Sequence, residues 1–158
     1  MRRPISAVMT LVVVCLVAAG QEPAAPPSSE QSALIVFYRP KRFTGSGLTP
    51  SIYLDGEQIA RLDNGRFFSI SVPVGKHKIE SSMKHAPLEI ELKAGEAQYM
   101  EMVILPGTWR GGGRIIPAPA EDSLEAIKKL KPLDKNWVMS AKVGFDVKAP
   151  AVAAAKKE

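Results

Sequence analysis

With 158 residues, 46% of them hydrophobic and 23% charged, the chain has the composition of a globular protein with one core, which excludes wholesale disorder and a multi-span membrane protein. The formal net charge of +5 falls if Arg2 and Arg3 are removed, and the other Lys and Arg residues are scattered among acids, so no nucleic-acid partner is expected.

Residues 1–20 fall into three zones: a positive start at Met1-Arg2-Arg3, an apolar run from Ala7 to Val17, and small residues at Ala18-Ala19-Gly20. This is the pattern of a secretory signal peptide, with cleavage expected after Gly20 and a periplasmic or secreted destination. The apolar run is shorter than the roughly 20 residues that span a bilayer, so no stable transmembrane segment is expected after signal removal. The single cysteine, Cys15, lies inside the run and follows Val14, where a lipoprotein signal needs a small residue. A cleaved chain therefore has no thiol for a disulfide, a thiolate metal site or a cysteine nucleophile.

Residues 21–32 (QEPAAPPSSEQS) lack an apolar period and read as a disordered spacer, as does the Ala/Lys tail at 148–158. Residues 33–147 are expected to form one domain. Leu34 to Tyr38 is a continuous run of β-formers that suits a central strand covered on both faces. Ile52-Tyr53-Leu54 and Ile59 to Leu62 flank Asp55-Gly56, a pair suited to the positive backbone angles of a tight hairpin.

Phe68, Ile70 and Val72 alternate with Phe67, Ser69 and Ser71. In the following run, Lys76 to Ser82, His77 and Ile79 share an inward face. Leu88, Ile90 and Leu92 alternate strictly with Glu89, Glu91 and Lys93, and another strand is expected over Gln98–Leu105. About seven strands at short, regular spacing predict a mainly β fold, an antiparallel β-sandwich. Arg114-Ile115-Ile116 reads as a short edge strand. From Glu121 to Lys131 the period becomes helical, with Leu124, Ile127 and Leu130 on one side, acids at the start and lysines at the end, predicting one C-terminal helix stopped by Pro132. Trp137-Val138-Met139 and Val143-Gly144-Phe145 supply either another strand or packing on the core.

The stretches Val36-Phe37-Tyr38-Arg39-Pro40, Ser51 to Gly56 and Val72-Pro73-Val74-Gly75-Lys76-His77 together resemble the bacterial envelope family catalogued as domain of unknown function 2846, over about residues 33–105. The second half of that block is also similar to PEGA-type β-sandwich modules, with a displayed hairpin and a proline-glycine turn before a strand. The resemblance implies an exported β-sandwich and carries no catalytic residue with it.

A metal site would have to combine His77 or His85 with Glu80, Glu89 or Glu91, but the spacing favours a hydrogen-bonded inward His77 and an exposed His85, so neither metal nor cofactor is expected. No Gly-x-Ser-x-Gly elbow is present, and Thr44-Gly45-Ser46-Gly47 reads as a flexible polar connection. The expected function is therefore that of a non-enzymatic structural or interaction module of the cell envelope, whose partner is a cell-wall glycan or an envelope protein. A second possibility is a glycan- or small-ligand-binding module using Trp109, Arg110 and Arg114, an indole and two guanidinium groups around three glycines. A hydrolase with a site unreadable from the sequence stands third.

Overall fold

A computed structural model describes residues 32–82, 87–105 and 113–140, together with the backbone of 144–146. The strands are β1 (Ser32–Tyr38), β2 (Ser51–Leu54), β3 (Glu57–Arg61), β4 (Arg66–Pro73), β5 (Gly75–Ser81), β6 (Leu88–Leu92), β7 (Ala97–Val103), β8 (Arg114–Ala118), β9 (Lys131–Pro132) and β10 (Gly144–Asp146), with helix α1 at Ala120–Ile127. They form a six-stranded sheet, ordered β10-β4-β1-β7-β8 with β9 beside β4, packed on a four-stranded sheet ordered β3-β2-β5-β6.

The fold is mainly β, a two-sheet sandwich with one helix, as the strand rhythm predicts. Two details differ. There are more strands than the seven expected, because the expected Arg66–Val72 segment gains β9 and β10 as extra neighbours in the larger sheet. That sheet is also mixed: β1 pairs antiparallel with β4 but parallel with β7, and β9 runs parallel to β4. Parallel neighbours need a long crossover, and here the whole four-stranded sheet is inserted between β1 and β7. Ser32, placed in the spacer by composition, pairs with Pro73 as the first residue of β1. The signal segment, residues 21–31 and the tail from 147 lie outside the described residues.

β1 is central and covered on both sides, and its alternation divides the interior. Ala33, Ile35 and Phe37 face the space between the sheets, where Ile52, Leu62, Phe68, Ile70, Val72, Ile79 and Met100 are also buried. Phe37 and Phe68 stack there with ring centroids 5.1 Å apart. Val36 and Tyr38 point the other way, with Phe67 and Tyr99, and meet Ile127 of α1. The predicted Leu/Ile stripe is thus the surface by which the helix covers the outer face of the larger sheet.

That helix stops at Ile127 rather than Lys131. Its closing bonds tighten from Lys128 N–H to the Leu124 carbonyl to shorter reaches from Lys129 to Ala126 and Leu130 to Ile127. The chain then enters β9, where Lys131 N–H donates to Gly65, Leu133 N–H donates to Phe67, and Leu133 is buried. Beyond it, Trp137 packs against the core and lies over Arg61, with the guanidinium carbon 5.3 Å from the ring centroid. Val138 bridges to Ala60, and Gly144–Asp146 pairs with β4. Among the described residues no helix is long and apolar enough to cross a membrane.

Candidate functional site

The predicted Asp55-Gly56 hairpin forms between β2 and β3, with φ of 51° at Asp55 and 84° at Gly56. Both angles are positive, the signature of the turn whose twist matches paired strands. Because β2 also pairs with β5, setting Leu54 opposite Ile79, the turn brings the Asp55 carboxylate against the start of β5. One carboxylate oxygen accepts the Lys78 amide at 2.9 Å, and the other lies 2.8 Å from His77 Nδ1.

The second ring nitrogen of His77, Nε2, lies 2.9 Å from the Pro73 carbonyl. A carbonyl only accepts, so Nε2 carries the proton there, and the imidazolium form donates from both nitrogens at once. The His77 side chain is 11% exposed, an inward hydrogen-bonded histidine as period-two geometry predicts. Burial pushes the Asp55 carboxyl up, but the bonds from His77 and the Lys78 amide outweigh it and hold the group below the ordinary aspartate value.

This pair lines a cleft of about 410 Å³, together with Lys76, Lys78, Glu89, Ile90 and Glu91. Registry places Lys76 opposite Glu91 and Lys78 opposite Glu89 across β5 and β6, and Lys78 also reaches Glu80 at 3.2 Å. The glutamates considered as metal ligands are therefore interleaved with lysines. Among the described residues no three His, Cys, Asp or Glu side chains gather to hold a metal ion. The cleft opens along β6, which among the described residues pairs on one side only.

Among the described residues Arg39 is the most deeply buried cation, at 2% exposure. Its guanidinium donates to the carbonyls of Leu48 at 2.5 Å, Leu62 at 3.2 Å and Gly45 at 2.6 Å. Burial lowers its pKa, and the nearby Asp63 carboxylate opposes that shift. The role is architectural: one side chain fixes the 40–50 connection that carries the chain from the larger sheet to the smaller. Gly45 completes the anchoring, since its φ of 75° and a distance of 2.8 Å from its ideal Cβ position to Ile104 Cγ2 leave no room for another residue. Thr44 to Gly47 is thus a tightly held loop and not the flexible connection expected, with Ser46 N–H on the Phe43 carbonyl and Leu48 N–H on that of Gly45.

Of the residues predicted for ligand binding, Arg114 is exposed at the start of the edge strand β8. It lines a smaller cleft of about 210 Å³ between the sheets, with Ile79, Ser81, Pro87, Leu88 and Ile116. Trp109 and Arg110 lie outside the described residues, as does His85. Pattern reading missed two elements of the site. Asp55 was legible only as a turn residue, although its offset from His77 across paired strands was implicit in the hairpin. Arg39 was legible only as the end of β1, although a cation before proline at the end of an apolar run is a signal of its own.

Among known families, the model described as "Protein of unknown function (DUF2846)" matches residues 29–113. The chain belongs to this family. The match takes in the Tyr-Arg-Pro end of β1, the Asp-Gly hairpin and the Pro-x-Gly-x-His start of β5. The structure gives these motifs a physical meaning as the Arg39 carbonyl cage and the Asp55–His77 lock. No curated protein and no solved structure matches the chain.

Proposed function

We propose that this member of the family is an exported, non-enzymatic interaction module of the cell envelope, acting in the periplasm or at the cell surface. The observation that carries the reading is that the histidine of the 410 Å³ cleft is held by the fold itself. A general base needs a free lone pair within reach of substrate, yet both His77 nitrogens are bonded within the fold, to Asp55 and to the Pro73 carbonyl. A cleft built this way holds shape. It lies beside β6, which among the described residues pairs on one side only and whose backbone groups suit an extended segment of an envelope protein added as a further strand. The signal-like residues 1–20 support export.

The test places a photo-cross-linking residue at Glu89, on the outward face of β6, and another at Glu125 on α1 as a control, in the producing cell. The reading expects the chain in the envelope fraction with Gln21 as its new N-terminus and a discrete protein adduct at position 89 alone. An uncleaved cytoplasmic chain, or equal labelling at both positions, overturns it. A glycan-binding reading draws on Arg114 in the smaller cleft. It expects salt-resistant co-sedimentation with cell-wall sacculi that is lost in Trp109→Ala, because screening weakens only nonspecific ionic attraction.

A further inference from the structure

The loop between β1 and β2 carries the most exposed large apolar side chain described, Phe43, at 97% exposure. A single exposed apolar residue is ordinary on a surface, but this one is held out by design of the loop around it. Arg39 clamps the carbonyls of Gly45 and Leu48, and Gly45 lies against Ile104. Arg42 is bound on both sides by Asn64, its N–H donating to Oδ1 at 3.0 Å and its carbonyl accepting from Nδ2 at 2.9 Å. The ring therefore projects from a fixed base.

Cations surround that base. Lys41 and Arg42 precede the ring, and Lys41 packs against Gly65, 3.2 Å from where a Cβ would stand. The Gly65 carbonyl accepts from Lys131, whose strand partner is Arg66. Lys128 and Lys129 occupy the turn just before. All but the half-exposed Arg66 are exposed. Two of the acids nearby are already engaged, Glu101 with Arg42 and Tyr38, and Asp63 with the Asn64 amide and the field of Arg39.

From this arrangement, a rigidly presented aromatic ring within a cluster of lysines and arginines, we propose that this end of the sandwich docks on an anionic phospholipid surface, with Phe43 entering the interfacial region and the cations meeting headgroup phosphates. A ring at the headgroup level gains by leaving water, and each Lys or Arg near a negative surface adds attraction within a Debye length. Apolar and ionic contributions are both required, because either alone gives weak, reversible attachment.

The test uses the chain as purified from the producing cell and sedimentation with vesicles of phosphatidylcholine alone or mixed with phosphatidylglycerol. Binding is expected to the mixed vesicles only, weaker by about tenfold in Phe43→Ala, the size expected for removing one partly inserted ring. A combined Lys128→Gln, Lys129→Gln, Lys131→Gln variant is expected to lose comparably. Phe43→Trp retains binding and shows an emission shift to the blue on contact with mixed vesicles. Phe43 is so exposed that these variants keep the native unfolding midpoint, which separates lost docking from lost folding. Undiminished binding by Phe43→Ala, an unshifted Phe43→Trp spectrum, or absence of vesicle binding overturns the proposal. None of these results bears on the strand-edge reading, whose cross-links are made at β6.

Discussion

Replacing Arg39 tests how the β1–β2 connection is held. In Arg39→Met the side chain still fills the site, but the carbonyls of Gly45, Leu48 and Leu62 lose their donor. Hydrogen bonds to a charged group are worth about 1.5–3 kcal/mol each, and three made by one fork are not additive. Relief of the buried charge offsets part of the loss. The expected destabilisation is about 3 kcal/mol, which at a typical urea slope of about 2 kcal/mol per molar moves the midpoint by about 1.5 M. Arg39→Lys keeps the charge but replaces a planar fork by one nitrogen, and recovers less than half. Equilibrium urea unfolding followed by far-UV circular dichroism measures both, and hydrogen exchange at Ser46 and Leu48 should accelerate, since those amides close the loop. A loss below about 1 kcal/mol for Arg39→Met, or native stability in Arg39→Lys, refutes the cage as the source of rigidity.

Two further outcomes follow from the site and the core. The folded-state pKa of Asp55 lies below its ordinary value, so its contribution is complete above about pH 4 and is lost as pH falls through the lower folded value. The stability difference between the native chain and Asp55→Asn should shrink as pH falls below about 4, and a difference that does not fall on acidification contradicts the His77 pairing. Phe68→Ala removes one partner of the stacked pair from a fully buried position and should destabilise by about 3–5 kcal/mol in urea unfolding, whereas a loss under about 1.5 kcal/mol means the two sheets collapse onto the vacancy.

Local periodicity reveals a strand's faces but not its neighbours. The double burial of β1, the Asp-Gly hairpin and the half-buried β6 are written in runs a few residues long, each readable from alternation and turn chemistry alone. The parallel pairing of β1 with β7 is not, since it joins residues such as Val36 and Tyr99 across the whole inserted sheet. The helix end was misplaced for a related reason. Lysines and a proline mark a plausible stop at Lys131, yet the long-range bonds from Lys131 to Gly65 and Leu133 to Phe67 draw the chain into the sheet there, and the helix ends four residues earlier, at Ile127. Site residues follow the same division. His77 is inward by parity, but its partner Asp55 is specified by the register of β2 on β5. The exposure of Phe43 depends on a cage that ties the β1–β2 connection to Leu62, Asn64 and Ile104.

Several polar groups inside the fold fix its two ends. Ser123, fully buried, donates to the Pro119 carbonyl at 2.7 Å and lies 3.3 Å from the Tyr38 hydroxyl, tying α1 to β1. Burial raises the Tyr38 pKa, and the fields of Glu101 and Asp122 add to it while Ser123 opposes it. Arg39 fixes the end of the sandwich where β1 finishes and β4 begins. The Asp55–His77 lock, bonded to Pro73 at the finish of β4, fixes the other. At about 3.3 Å per residue, the seven residues of β1 separate those ends by about 20 Å. Were the Phe43 loop to rest on a surface, the larger cleft and the neighbouring stretch of β6 would lie at the opposite end of the sandwich, away from it.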